Sequence, residues 1–479
     1  MTKIIKNNSI NVIKKSQKTG KCQKIAEPFR ISSDKTYKKI QKNISLITGN
    51  GFQDLDDHML NKFGFVHSRF LDLILTKNRI FLIHFWDFIF LLFLKGARSS
   101  KIENFWNKNK HILITCTKND KIWARGHNMH KLPFNYNYND VDILKALNSA
   151  NNKIGELNGI INLLPNPNII LNAVILGEAK ESSEIENIVT TFDEIFKEIT
   201  LKVNNTASKE VVNYRQAILN GFAFIKDNGF ISSKMLVDIH HIIEPNVGGI
   251  RKIPGTVIKN TKTGEILHTP PQNEKEIRDY LSNLEKYIND DELEDVDPII
   301  KMAMIHYQFE SIHPFHDGNG RTGRMLNVLY LVLKNKIGSP ILYLSKYINS
   351  TKDEYYQHLY NVRLDNKYIK DYLLYMIQGV SKTSSFTIDF IKSFKKIMDD
   401  ASELIKEKCP KIYSHKLVEY LFYDFYTKNE YFREALNISR NTASKYLNEL
   451  EKAGVLISEM VGKEKIFKNA YLYSLIAKW

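Results

Sequence analysis

Cysteine is nearly absent: Cys22, Cys116 and Cys409 are the only three in 479 residues. They lie far apart and show neither CxxC nor Cys/His ligand spacing, which argues against a disulfide framework or a cysteine-built zinc site and fits a reducing cytoplasm. A long apolar run is missing too. The nearest approach, IFLIHFWDFIFLLFL from Ile80 to Leu94, is interrupted by His84 and Asp87, whereas a spanning helix needs about 20 apolar residues. It reads as a buried or interfacial helix, with membrane association of residues 80–94 as the lesser alternative. It starts some eighty residues in and no small-residue cleavage pattern follows, so it does not read as a secretory signal. There is no GxxxxGK[ST] loop, no HExxH, no zinc-deaminase pattern and no fixed-period repeat.

Acidic residues are scarce at one end. The formal net charge is +15, yet residues 1–50 hold twelve Lys/Arg against two Asp/Glu and supply most of it. The rest of the chain is only mildly basic, so the charge reads first as a solvated arm and only second as a nucleic-acid or anionic-membrane contact. A 43% hydrophobic and 25% charged composition is that of an ordinary globular protein, long enough for two or three domains.

Residues 1–125 form a basic and apolar extension with no assignable chemistry. From residue 131 the pattern turns helical: Ile143, Leu144, Leu147, Ala150, Ile154, Leu157 and Ile160 recur every three or four positions. Residues 169 to about 232 predict three further helices, separated near NNTAS and DNGF. Pro245 to Pro271 breaks the rhythm and predicts a hairpin, Thr256–Lys259 against Glu265–His268, turning at NTKTG. A helix follows from about Glu274 to Ile288, then one opened by Asp297 with Pro298 at its first position. Residues 412–479 have the grammar of a winged helix-turn-helix: a short helix, the turn NIS, a helix from Arg440 to Ala453, Gly454 as cap, and strands meeting near Gly462 and Lys463.

The chemistry concentrates in HPFHDGNGRTGR, His313 to Arg324. Gly318, Asn319 and Gly320 can turn successive N–H groups into an anion nest at a helix N-terminus. Arg321 and Arg324, three apart, share a helix face and can clamp further phosphates. Asp317 can hold a Mg²⁺ ion that also binds phosphate oxygens, and His313 is a natural acceptor for a hydroxyl proton. Pro314 and Phe315 are expected to bury the loop, and His316 to face solvent. A GNG turn alone would be an ordinary tight turn, with the histidine in the core and the arginines on surface carboxylates; the whole string favours a polyphosphate cradle.

This string matches, without gap or substitution, the HxFx[DE]GNGRxxR signature and so resembles the Fic family. The resemblance covers residues 131 to about 375 well, the 412–479 tail moderately and residues 1–125 not at all. It implies a mainly α fold: a helical bundle with a β-hairpin flap that aligns a target strand, plus a C-terminal winged-helix domain. It also implies an enzyme that transfers AMP from ATP, with Mg²⁺, to a hydroxyl of a target protein. By position, His313 is the base and Asp317 the metal ligand. Gly318, Asn319, Gly320 and Arg321 hold the α- and β-phosphates and Arg324 the γ-phosphate, with Thr322 and Gly323 inside the same nucleotide-binding stretch. The death-on-curing branch, which resembles kinases, replaces the second nest glycine by lysine; Gly320 is present here, which favours adenylyl over phosphoryl transfer. In STKDEYYQHL, Tyr355, or else Tyr356, would contact the nucleoside; the alternative is a pair of tyrosines that pack a helix.

ESSEIENIVTT, Glu181 to Thr191, matches the [ST]xxxE[GN] pattern of self-inhibited members through Ser182, Glu186 and Asn187. Glu186, on a helix N-terminal to the core, would pair with Arg324 and misplace the phosphates of bound ATP. The expected organisation is residues 1–125 as the extension, 131–204 as a helical region with the inhibitory helix, 205–400 as the catalytic core and 412–479 as the winged helix. The expected activity is adenylyl transfer to Ser, Thr or Tyr, self-modification included, in the cytoplasm. Removal of AMP at the same site and a nucleotide-sensing DNA-binding regulator are the alternatives. Residues 401–479 hold thirteen Lys/Arg and ten Asp/Glu, too balanced to favour DNA; a protein-docking or homodimerising role is favoured for the tail.

Overall fold

The computed structural model describes residues 129–162, 166–246, 249–259 and 264–476. Expectations for residues 1–125, including the apolar run 80–94, lie outside the described residues. No described helix is long and apolar enough to cross a membrane.

The fold is mainly α, and local chemistry sets most of its boundaries. Helix α1 (Val141–Asn162) buries Ile143, Leu147, Ala150, Ile154, Leu157 and Ile161, whereas Leu144, expected on that stripe, is 51% exposed. Helix α2 (Pro167–Ile185) starts from the Asn166 cap with proline at its first position. It stops because Asn187 adopts the left-handed conformation at φ 65°, which asparagine tolerates and most side chains do not. The expected continuous helix beyond residue 169 is therefore two. Helix α3 (Phe192–Leu201) begins anew at a capping box between Thr191 and Glu194, a motif that satisfies two orphan N-terminal donors at once.

Helices α4 (Thr206–Asn228) and α5 (Ser233–Ile243) follow, capped by Asn205 and Ser232. The expected hairpin forms with shorter strands, β1 (Ile258–Lys259) against β2 (Ile266–His268), antiparallel and with an irregular register. Residues 260–263 of its turn lie outside the described residues. After α6 (Glu274–Asn289) come two helices at the centre of the core, α7 (Pro298–Ile312) and α8 (Asn319–Leu333). Every residue of α7 from Ile299 on is buried, as are nearly all of α8. A helix buried on every side in this way belongs to the interior of a bundle. Helices α9 (Leu344–Ser350) and α10 (Lys352–Leu364) lead to α11 (Ile369–Lys408), 40 residues long and packed along α1. The expected core boundary at residue 400 thus falls inside one continuous helix.

The tail runs α12 (His415–Tyr423), β3 (Tyr426–Lys428), α13 (Asn429–Leu436), α14 (Arg440–Lys452), β4 (Leu456–Val461), β5 (Glu464–Asn469) and α15 (Ala470–Ile476), with sheet order β3-β5-β4. Helices α13 and α14 and the β4–β5 hairpin come in the order expected from the sequence, while α12, β3 and α15 are additions to it. The tail seats on α3. Phe196 stacks on Phe425 at 4.5 Å, and Asp193 accepts from the Tyr426 hydroxyl at 2.5 Å and Lys468 at 2.6 Å. Lys197 bridges Asp193 and Glu459 at 2.8 Å each. Burial would raise the Asp193 carboxyl, but these cations and the tyrosine hydroxyl hold it below the usual carboxylate range.

Candidate active site

The site is the junction where α7 hands the chain to α8. His313 closes α7 in the left-handed conformation, φ 48°, with its N–H on the Phe309 carbonyl at 3.0 Å. Its Nδ1 is buried without a hydrogen-bond partner, which leaves Nε2 as the accessible nitrogen. Burial, then the charges of Arg363 and Arg251, push the imidazole down to about 4. At neutral pH it is therefore uncharged, with a lone pair available.

The loop from His313 to Gly318 is pinned by side chains of α5 and α8. Phe315 is fully buried and stacks on His240 of α5 with ring centroids 3.7 Å apart. Asn319 closes a two-way clamp, its amide oxygen accepting from Phe315 N at 2.8 Å and its Nδ2 donating to Phe315 O at 2.9 Å. His240 Nε2 lies 2.9 Å from the Asp317 carbonyl; a carbonyl only accepts, so that nitrogen carries the proton. His316 and Asp317 are exposed.

Gly318 takes φ 73° as the N-cap of α8, and no side chain caps the helix. Its own N–H donates to Asp317 Oδ1 at 2.7 Å. The next N–H groups, of Asn319, Gly320 and Arg321, open the helix in the geometry of an anion site. Thr322 turns its hydroxyl back to Gly318 O at 2.9 Å. At Gly323 an added Cβ would come within 2.4 Å of Glu310 Oε1 and 3.0 Å of Phe309. These two residues serve packing rather than offering groups to a phosphate.

The two arginines, expected on one face, have different partners. Arg321 is buried and pairs with Glu210 of α4 at 2.8 Å and with Glu244 at the end of α5. Its guanidinium is thus held by carboxylates, and only its N–H belongs to the nest. Arg324 is buried and donates through Nε to Ser182 Oγ at 2.9 Å, and through Nη2 to Ser182 O at 2.8 Å and Glu186 Oε1 at 2.9 Å. Burial would raise the Glu186 carboxyl, but Arg324 outweighs it and holds Glu186 below the usual range. Asn187, in its left-handed turn, sits 3.5 Å from Lys352 Nζ. The Glu186 carboxylate lies directly over the nest: a Cβ on Gly320 would stand 2.2 Å from Glu186 Oε1 and 2.7 Å from Arg324 Nη1.

Two further carboxyls surround Arg324 and were not singled out in the sequence. Glu178 on α2 accepts from Ser345 N at 2.9 Å and from the Ser345 hydroxyl. Glu310 on α7 keeps a buried, unpartnered Oε1. Burial pushes each up to about 7 against the pull of Arg324. Both face inward on helices buried along most of their length, where periodicity gives no sign of them.

Tyr355 is placed differently from expectation. It is buried, and its hydroxyl lies 2.8 Å from His306 Nε2, while His306 Nδ1 lies 3.2 Å from the Gly323 carbonyl. Burial and the charge of Arg324 push His306 down to about 3, so the ring is neutral; Nδ1–H donates to Gly323 O and Nε2 accepts from Tyr355. The Tyr355 ring therefore packs the core, and Tyr356, 38% exposed, is the one that offers a surface.

For a metal, Asp317 is the carboxylate beside the nest, three-quarters exposed. No group of three or more His, Cys, Asp or Glu among the described residues could hold an ion. One exposed carboxylate beside a phosphate nest fits Mg²⁺, which typically takes one or two carboxylates with substrate oxygens and waters.

The chain is similar to known proteins along much of its described length. Family models match at residues 144–223 (Fic/DOC family N-terminal), 230–331 (Fic/DOC family) and 397–472 (Protein adenylyltransferase SoFic-like, C-terminal domain). The chain is 30% identical over 135 residues to Protein adenylyltransferase Fic of Culex quinquefasciatus, covering 28% of this chain and 25% of that one. It is 28% identical over 189 residues to Protein adenylyltransferase fic-1 of Caenorhabditis elegans, covering 37% and 35%. It thus spans a quarter to a third of the length of these curated relatives. Among solved structures, a Fic family protein from Desulfovibrio desulfuricans G20 aligns with TM-score 0.45 and 15% identity over 71% of this chain and 98% of that one. Fic-1 from C. elegans aligns with TM-score 0.41 and 20% identity over 53% and 74%.

Proposed function

The chain belongs to the Fic/DOC family, and on that premise we propose that it is a protein adenylyltransferase. It moves AMP from ATP to a Ser, Thr or Tyr hydroxyl of a target protein, itself included, and releases pyrophosphate. The observation that carries the reading is the junction itself: a neutral, half-buried imidazole at the end of α7, five residues before an uncapped α8 N-terminus. Base and phosphate cradle are fixed to the same rigid pair of helices.

In the proposed reaction the N–H groups of Asn319, Gly320 and Arg321 hold the phosphates. The target hydroxyl gives its proton to His313 Nε2 while its oxygen attacks the α-phosphorus in line, and the bond to the bridging oxygen breaks as pyrophosphate departs. Asp317 would hold Mg²⁺, which when bound neutralises charge on the phosphates. Arg324 would take the γ-phosphate once Glu186 is displaced. While the 2.9 Å pair with Glu186 holds, Arg324 is not available, and the enzyme is self-inhibited. The reducing cytoplasm is the setting we infer for it.

His313→Ala is expected to abolish transfer of label from α-labelled ATP while nucleotide still binds; retained turnover would remove His313 as the base. One observation favours a second reading, removal of AMP from a modified target: Glu186 carries its charge close enough to His313 to favour protonation there, where it could also orient a water. Release of AMP from pre-modified target by the wild type, lost in Glu186→Ala, would support that direction.

A further inference from the structure

Arg251 lies outside the motif, on the segment between α5 and the hairpin, yet is 1% exposed. Its Nε donates to His313 O at 2.8 Å, its Nη2 to Ile312 O at 3.4 Å and to Pro271 O, and its own N–H to Pro314 O at 2.9 Å. One residue thus engages three successive carbonyls where the chain turns left-handed at His313, and ties them to Pro271 just past β2. No carboxylate among the described residues forms an ion pair with it. Burial lowers the proton affinity of its guanidinium, but an arginine stays charged in any protein.

A left-handed conformation at a non-glycine residue persists only where its surroundings over-determine it. A buried, unpaired guanidinium is likewise retained only where several acceptors converge on it. The geometry points to Arg251 as the positioning residue of the base, holding His313 in its turn and coupling the hairpin to the imidazole. Its second effect is electrostatic. The charged groups facing His313 are Arg363 from α10, Arg251 itself and Glu186 beyond α2, so removing Arg251 removes one of two cations that disfavour protonation of the ring. The inference rests on the reading of His313 as the base.

The test uses the full chain carrying Glu186→Ala, with Arg251→Gln and Arg251→Lys added separately. Three quantities are read: self-labelling kinetics against pH, KM for ATP, and the titration of His313 by NMR without nucleotide. For Arg251→Gln, kcat is expected to fall tenfold or more with KM for ATP changed less than about threefold, because the base and not the cradle is misplaced. The acid limb and the NMR titration should both move up by about half a pH unit or more. Arg251→Lys keeps the charge and loses the fork, so it should lower kcat and leave the limb in place. A folded Arg251→Gln with parental kcat and titration would overturn the proposal, as would a loss confined to KM. If Arg251→Gln does not fold, Arg251→Lys decides through kcat: parental kcat overturns the proposal, and a tenfold loss with an unmoved limb upholds it. If the parent transfers no label, the reading of His313 as base fails, while the NMR titration still reports whether Arg251 sets the ring.

Discussion

Replacing Glu186 with alanine is the perturbation whose size follows most directly from the geometry. Arg324 Nη2 and Glu186 Oε1 are 2.9 Å apart, with the arginine buried and the glutamate about one-third exposed. A hydrogen bond to a charged group contributes about 1.5–3 kcal/mol, less where solvent screens it. At 1.4 kcal/mol per factor of ten, the pair would hold the site closed about 10 to 150 times more often than open. Transfer of label from sub-saturating α-labelled ATP should therefore rise by about that factor in Glu186→Ala. The nucleotide-free variant should also unfold more easily by about 1.5–3 kcal/mol, because Arg324 loses its nearest counter-charge. Arg324 holds Glu186 below the usual carboxylate range, so the pair is intact above a pH of about 4.5 and lost only as pH falls through the lower folded value. Titration of Glu186 itself should accordingly play no part in the activation ratio between about pH 6 and 8. A labelling ratio within about threefold of unity, alongside a clear loss of stability, would show the contact to be structural and refute the reasoning.

Three further outcomes follow. The acid limb of the transfer profile of Glu186→Ala should fall at or below pH 4, because burial and two arginines lower His313 to about 4 even with the Glu186 charge present, and a limb near the ordinary histidine value of about 6.5 would contradict the neutral base. Glu310 is raised to about 7 by burial, so its contribution to stability is present below about 4.5 and lost as pH rises through 7; Glu310→Gln should raise the melting temperature at pH 8 and hardly at pH 4.5, and equal shifts would refute the assignment. Gly323→Ala places a methyl 2.4 Å from Glu310 Oε1 and 3.0 Å from Phe309, and chemical denaturation should show a loss of about 1–3 kcal/mol from overpacking.

What could be read in advance was whatever local chemistry determines. Asp297 and Pro298 announce the start of α7, and the glycines around Asn319 announce the nest. The pairing of Glu186 with Arg324 was legible as a spaced pattern, but the end of α2 beside it was not: Asn187 resembles any mid-helix asparagine until its left-handed turn is seen. The partners of Arg321 were out of reach for another reason. Glu210 and Glu244 lie 111 and 77 residues away on two other elements, and no periodicity in the motif refers to them. Arg251 was hidden in the same way, since its partners are backbone carbonyls, which every residue has. Tyr355 and Tyr356 are adjacent and chemically alike, and only burial separates the one that packs from the one that is presented.

The six residues between α2 and α3 carry a consequence for how any inhibition by Glu186 must behave. Before that segment Ser182, in the last turn of α2, accepts from Arg324, and after it α3 is fastened to the tail through Asp193, Lys197 and Phe196. Glu186 is therefore a ligand on a very short tether, whose effective concentration at Arg324 is set by chain geometry and not by how much protein is in solution. A competitor arriving from outside meets the same opposition at nanomolar protein as at millimolar. Dilution, which dissolves an inhibitory complex between two molecules, should leave this contact untouched.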